Sequence, residues 1–295
     1  MSDLALVVAR HRRHVVIETE DGSSHSCHSA SRRIQPLPGD RVRWEPEGEG
    51  TGVVTAIEPR STVLTRVNRR GLGQPIAANL TQLVVVVAAD PEIDWLVLDH
   101  YLIAAELAGL KPAIVFNKTD LQPDVPSELQ VYEKIAPVFA TSTVDGHINA
   151  DMLECLAGER SVLVGQSGVG KSSLLNSLLG ENAQIVGELS DKLRQGRHTT
   201  TGSMLYRLDN GGELIDSPGV RQYAPFIEHE NDVAGGFREF HSLTPQCRFA
   251  DCRHLAEPGC AVKEGLESGV VTQRRYDNYR NLYELVAELR ARREP

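Results

Sequence analysis

The segment Gly165-Gln166-Ser167-Gly168-Val169-Gly170-Lys171-Ser172 decides the fold of this chain, because of what stands on either side of it. An apolar run, SVLVG at 161–165, leads in, and SSLLNSLL at 172–179 leads out. The segment matches G-x-x-x-x-G-K-[ST], with the strand before it and the helix after it that the pattern requires. Its glycines let the backbone curl so that successive N–H groups face one phosphate. The helix start adds its positive end, Lys171 sets a charge near the β- and γ-oxygens, and the Ser172 hydroxyl can ligate Mg²⁺. A nucleoside triphosphate site is therefore expected from Gly165 through Ser173. Outward from the loop, 83–89, 112–117, 137–142, 203–208 and 213–216 read as strands, and 95–110, 151–157 and 171–179 as helices. Strands this apolar imply a sheet covered on both faces, hence a mainly parallel α/β domain.

Neighbouring strands supply the base. Asn117-Lys118-Thr119-Asp120 closes the apolar run PAIVFN. A carboxylate at Asp120 can accept from the N1–H and exocyclic amine of guanine, whereas adenine presents the opposite polarity at that edge. Asp216-Ser217-Pro218-Gly219 follows ELI; there Asp216 can reach Mg²⁺ through water and the Gly219 N–H can meet the γ-phosphate. Gly196-Arg197-His198-Thr199-Thr200-Thr201 lies between the phosphate loop and D-x-x-G and offers hydroxyls to Mg²⁺ and the γ-phosphate. Thr141 and Ser142, after PVFA, are expected to offer backbone N–H groups to guanine O6. GTP and GDP with Mg²⁺ are the expected ligands, and Asp120 argues against an ATPase or kinase.

These are the elements of Ras-type GTPases in the wrong order. There the phosphate loop comes first, then the switch threonine, D-x-x-G, N-K-x-D and the last base-reading loop. Here N-K-x-D (117) and its partner loop (141) precede the phosphate loop (165), the threonines (199–201) and D-x-x-G (216). The chain reads as a circular permutation, with D-x-x-G leading directly into the C-terminal region. Loss of the γ-phosphate could be passed to that region as a change of loop order.

The flanks differ from the centre. Short strands at 15–19, 24–30, 40–46 and 51–60, separated by DG, LPGD and EGEG, suggest a small antiparallel barrel. An OB fold leads, with SH3-like barrels sharing the pattern, and the Arg- and Gly-containing stretch 66–73 reads as a linker. At the other end, Cys247-x₄-Cys252-x-His254-x₅-Cys260 gathers three thiols and an imidazole. Four soft donors with none left open suit a structural tetrahedral Zn²⁺ rather than a catalytic one. Cys27 and Cys155 read as isolated thiols. A closing helix over about 272–293 places Tyr276, Tyr279 and Tyr283 at helical spacing. They read as packing, with an RNA-stacking face as the alternative, in which Arg274, Arg275, Arg280, Arg290, Arg292 and Arg293 would track phosphates.

The formal charge of the 295 residues is −9, which taken whole argues against nucleic acid. Its distribution does not. Residues 1–72 carry 11 basic against 9 acidic side chains and 244–295 carry 9 against 8, while 73–243 carry 11 against 23. Twenty-five of the 31 basic residues are arginine, suited to bidentate phosphate contact. RNA contact is therefore expected at the flanks, through discrete arginines. The longest apolar run is far short of the ~20 residues of a membrane helix, and the start offers no signal-peptide pattern. Few cysteines, most in one cluster, suit a reducing cytoplasm. Nothing requires a dimer, so a monomer is expected.

On these motifs, the GRHTTT stretch and the cysteine cluster, the chain resembles the ribosome small subunit-dependent GTPase A family of circularly permuted bacterial GTPases. The resemblance implies an OB barrel (1–68), a permuted GTPase domain (69–226) and a mostly helical zinc domain (227–295). It implies binding to 16S rRNA on the 30S subunit during late maturation, with hydrolysis stimulated by that subunit. A large-subunit assembly GTPase and a nucleotide-gated RNA-binding module are the other readings. Ras-type enzymes place a water-orienting glutamine immediately after D-x-x-G, whereas Val220 stands here. Slow intrinsic turnover is expected, with His198 as candidate to orient the water and Thr200 as switch threonine; Arg197 is a weaker alternative.

Overall fold

A computed structural model describes residues 3–11, 14–68, 70–180, 202–216 and 225–293. The first strand, β1 (Asp3–His11), precedes the first strand expected from the sequence, at 15–19. It buries Ala5, Val7, Val8 and Ala9, with a register shift against its neighbour between Val7 and Ala9. With β2 (His14–Glu18), β3 (Ser24–Ser29), β4 (Arg41–Gly48) and β5 (Thr51–Ile57) it closes a barrel in the order β1-β2-β3-β5-β4-β1. That five-stranded closure is OB-like. Its core is Val7, Val15, Ile17, Cys27, Val42, Trp44 and Val54. Burial pushes the Cys27 thiol up to about 11. Buried Asp40 ties the barrel's loops, accepting from Leu37 N–H (2.7 Å) and from Arg60 Nε (2.8 Å) and Nη2 (2.7 Å).

The expected linker is a hairpin instead. β6 (Val63–Val67) pairs with β7 (Gly73–Ala78) across a turn in which Asn68 Oδ1 accepts from Arg70 N–H (2.8 Å) and Leu72 N–H (3.1 Å). This hairpin straddles residue 68, where the sequence suggested a domain boundary.

The central sheet runs β10 (Val138–Ala140), β9 (Lys111–Asn117), β8 (Gln82–Ala88), β11 (Arg160–Val164), β13 (Glu213–Asp216) and β12 (Ser203–Arg207). All neighbours are parallel except β12 against β13. The β8 run shows why a near-continuous apolar strand is needed. Leu83, Val85 and Val87 face α1 (Trp95–Leu107), while Val84, Val86 and Ala88 face α2 (Ala150–Leu156) and α3 (Lys171–Leu179). The barrel joins this sheet through β1, whose Ala9 and Arg10 pair with Met204 and Ser203 of β12. One eleven-stranded sheet thus passes through both units.

The C-terminal region packs on α1. Three 3₁₀ turns, α4 (Ala261–Glu267) and α5 (Gln273–Ala291) enclose Phe237, Phe240, Tyr276, Tyr279, Leu282 and Tyr283. The tyrosine stripe is packing. Arg275 is not a phosphate contact, since it is 2% exposed and lies between Asp99 of α1, which is fully buried, and Glu239. Glu239 takes Arg275 Nε (2.6 Å) and Nη2 (2.9 Å), and Asn278 donates to the free oxygen of Asp99 (2.6 Å). Arg275→Met leaves both carboxylates without their cation, and we expect unfolding stability to fall by about 3–5 kcal/mol. Urea denaturation of the full chain checks this; a change below about 1 kcal/mol would mean that the network carries no net stabilisation.

Candidate functional site

The carboxyl ends of β9, β10, β11 and β13 gather at one rim of the sheet, the edge where ligands of open α/β sheets bind. Residues 165–170 leave β11 and enter α3 through Gly170, whose φ of 93° a glycine adopts freely. A Cβ there would run into the Asn117 side-chain amide, and one at Gly165 would run into the Val86 carbonyl. The glycines of the motif are therefore required by their neighbours as well as by phosphate.

Asn117 interlocks the two nucleotide motifs. It is fully buried, and its Nδ2 donates to the Val169 carbonyl at 2.9 Å. Its Oδ1 is buried without a partner. Lys171 Nζ donates to the carbonyls of Gly165 (2.7 Å) and Gln166 (2.6 Å), bringing the ammonium into the curl of the loop. A small cavity beside it is lined by Lys171, Ser172 and Asp216, so three of the residues expected around Mg²⁺ and phosphate share one wall. Ser167, Gly168, Ser172 and Ser173 are exposed at the rim. The glycine-lined curl, the inward lysine and the orphaned amide oxygen all fit a bound nucleotide.

At the end expected to read the base, Asp120 is exposed, and its Oδ1 accepts from the buried Ser142 hydroxyl at 2.7 Å. Lys118 adopts φ = 65° and donates from Nζ to the Asp90 carbonyl (2.6 Å). Thr141 and Ser142 do not have the free N–H groups expected of them. Thr141 N–H donates to Phe116 O and Ser142 N–H to His147 O, both at 2.9 Å. Their contribution here is to hold the loop and, through Ser142, to orient Asp120. Arg197, His198, Thr199, Thr200, Thr201, Gly219 and Val220 lie outside the described residues.

The second cluster lies in the C-terminal region. The ligating atoms of Cys247, Cys252, His254 and Cys260 all fall within 4.8 Å of one another. His254 Nδ1 faces the sulfurs of Cys247 (3.6 Å) and Cys260 (3.4 Å), and Nε2 faces the Thr244 hydroxyl (3.4 Å). That leaves Nδ1 for a metal and Nε2 for the oxygen that orients the ring. Thr244 was not legible as part of the cluster, because it stands before the first cysteine. Burial lowers the His254 pKa, which favours the neutral, ligating imidazole, and burial pushes the Cys252 thiol up to about 12. Three sulfurs this close hold as thiolates only around a cation, and Cys₃His with no open position fits tetrahedral zinc.

From beneath, α5 fixes the ligand loop. Tyr276 OH donates to His254 O at 2.7 Å and Tyr279 OH donates to Arg253 O. His254 itself sits at φ = 60°, unusual for a side-chain-bearing residue, and these bonds hold it there.

A family model described as RsgA GTPase matches residues 57–225. The chain is 42% identical over 289 residues to the small ribosomal subunit biogenesis GTPase RsgA of Chromohalobacter salexigens, a match covering 95% of this chain and 85% of that protein. It is 42% identical over 295 residues to the same-named protein of Pseudomonas putida, covering 97% and 86%. Among solved structures it resembles YjeQ from Thermotoga maritima with a TM-score of 0.77 at 30% identity, covering 97% of this chain and 99% of that one. YloQ, described as a circularly permuted GTPase, aligns with a TM-score of 0.72 at 25% identity over 100% of this chain and 97% of its own.

Proposed function

The chain belongs to the RsgA GTPase family and is a GTP hydrolase, and from that premise we propose that it acts in late maturation of the 30S ribosomal subunit. In this reading it binds 16S rRNA and hydrolyses GTP faster when seated on the subunit. The observation that carries the nucleotide half is the bond from buried Asn117 to the Val169 carbonyl, which locks base-reading and phosphate-binding motifs into one unit. The partner half is supported by the names of its relatives and by a cleft of about 530 Å³ on the barrel. Arg10, His28, Ser29, Arg32 and Gln35 line that cleft, a lining suited to RNA phosphates. Arg248, stacked over the exposed Phe249 ring at 5.4 Å, offers a second such surface.

In this mechanism the N–H groups of 166–172 and the Lys171 ammonium take the β- and γ-phosphates. Asp120 reads guanine with Ser142 behind it, and Ser172, Thr200 and, through water, Asp216 hold Mg²⁺. When bound, Mg²⁺ supplies the positive charge that balances the phosphoryl oxygens. Val220 cannot orient a water, so that task falls to His198 or to a group of the subunit. One zinc ion at Cys247, Cys252, His254 and Cys260 holds the C-terminal region together. A monomeric, cytoplasmic factor fits this role. No helix among the described residues is long and apolar enough to cross a membrane.

A partner-supplied catalytic group is worth ~10³–10⁵ in this chemistry. We therefore expect 30S subunits to raise GTP turnover by at least about 10²-fold over the free protein, with little effect from 50S. Steady-state phosphate release with 30S, 50S, 70S or no particle measures this. Equal stimulation by 50S would turn the reading toward large-subunit assembly, and no stimulation toward a nucleotide-gated RNA binder.

A further inference from the structure

The segment between β8 and α1 is held by both nucleotide motifs at once. Asp94 N–H donates to Gln166 Oε1 of the phosphate loop at 3.1 Å. The Asp90 carbonyl accepts from Lys118 Nζ, as described above. One residue further on, Trp95 is gripped by α5. The Arg274 guanidinium lies 4.3 Å from the centre of the indole, and Asn278 Nδ2 donates to the Trp95 carbonyl at 3.2 Å. Asn278 also donates to Asp99, one turn along α1, where Arg275 completes the buried network. Two consecutive residues at one helix start are thus tied to different partners: Asp94 to the phosphate loop, Trp95 to the C-terminal region.

The tie is stiff. Asp94 caps α1, its Oδ1 accepting from the N–H groups of Leu96 and Val97 at 3.1 Å each. The Asp94 backbone therefore moves only with the first turn of the helix. That turn is fixed by the Trp95 contacts just named and by the stack of Trp95 on Tyr132, 5.9 Å between ring centres.

We propose that Asn278 and Arg274 are positioning residues for the phosphate loop, acting through Trp95 and Asp94. Nucleotide retention then depends on how the C-terminal region sits on α1. The proposal rests on reading 165–173 as the nucleotide site and adds a route by which a distant surface reaches it. Coupling of this kind is reciprocal. A partner that draws α5 away from Trp95 loosens the nucleotide, and bound nucleotide resists that partner by the same factor.

The test is release of a fluorescent GDP analogue from the full chain with its metal in place, followed by stopped flow. Asn278→Ala should release about five- to tenfold faster than the parent, the size expected for loss of its hydrogen bond to the Trp95 carbonyl. Its metal content should stay at the parent's level. Gln166→Ala cuts the other end of the same link and should also speed release. The double variant should then be no faster than the faster single one, because both cuts break one connection. A merely structural role for Asn278 would lower the unfolding midpoint and leave release unchanged. A parent-like rate in Asn278→Ala, or single effects that multiply in the double variant, overturns the proposal. Should Asn278→Ala not fold, Arg274→Ala on the exposed face carries the test, with release about two- to threefold faster expected and a parent-like rate overturning the proposal. Failure of the parent chain to bind the analogue would instead overturn the nucleotide-site reading itself.

Discussion

Asp120→Asn is expected to turn a guanine-selective site into one that prefers xanthine nucleotides. One oxygen of Asp120 already accepts from the Ser142 hydroxyl at 2.7 Å, and Ser142 is fixed in turn by its N–H bond to the His147 carbonyl. An asparagine in this place keeps its oxygen on Ser142 and turns its NH₂ toward the base. Guanine then sets its own amine against another donor, and both are left unpaired. Sites built on such bonds reject the mismatched analogue by ~10⁴–10⁵. Some solvent reaches this exposed carboxylate, so we expect GDP affinity to fall by a smaller factor, on the order of 10²–10³. Xanthine carries a carbonyl where guanine has the amine, and xanthosine diphosphate should outcompete GDP in displacement of a fluorescent nucleotide. GDP binding within a few-fold of the parent would remove Asp120 from the base-reading role.

What the sequence made legible is what neighbouring residues decide together. The alternation that divides the β8 run between two faces, the glycines of 165–170 and the three cysteines with His254 are each readable within a score of residues. What it hid are pairings across long separations. Arg275 stands among exposed-looking arginines of a polar helix, and only the arrival of Asp99, 176 residues earlier, shows it to be interior. In the same way nothing within β1 announces that it serves barrel and central sheet together, since besides β2 and β4 it pairs with the far later β12. The hairpin at 63–78 was masked by its arginines and glycines, which suit a turn as well as a linker. That the Thr141 and Ser142 N–H groups are already paired was hidden too, because it depends on the Phe116 and His147 carbonyls. The permuted order cost nothing in legibility, since each motif is local and the sheet restores their neighbourhood.

Loss of the metal is expected to undo the C-terminal region while the barrel and central sheet stay folded. Between Thr244 and Cys260 the chain holds a single 3₁₀ turn and otherwise irregular backbone. Glu257 accepts from the N–H groups of Leu255 (2.9 Å) and Ala256 (3.1 Å), and two tyrosine hydroxyls hold carbonyls from below. These contacts shape the loop, but each is worth only about 1 kcal/mol net. A structural zinc in such a segment contributes ~10–16 kcal/mol, comparable with the whole stability of a small domain. Cys260→Ser, which removes the most buried of the three cysteines, should therefore abolish the one metal equivalent that elemental analysis of the parent is expected to give. It should also raise amide exchange across 244–262 by orders of magnitude, with the face of α5 bearing Tyr276 and Tyr279 following. β8, β9 and β11 should keep the parent's protection, because their core is made of their own valines with α1, α2 and α3. If α5 grips Trp95 as proposed, the same variant also releases GDP faster, and chelation of the parent reproduces both effects. Parent-level protection at 244–262 in metal-free protein would show that packing alone holds this region, and the cluster would then need another explanation.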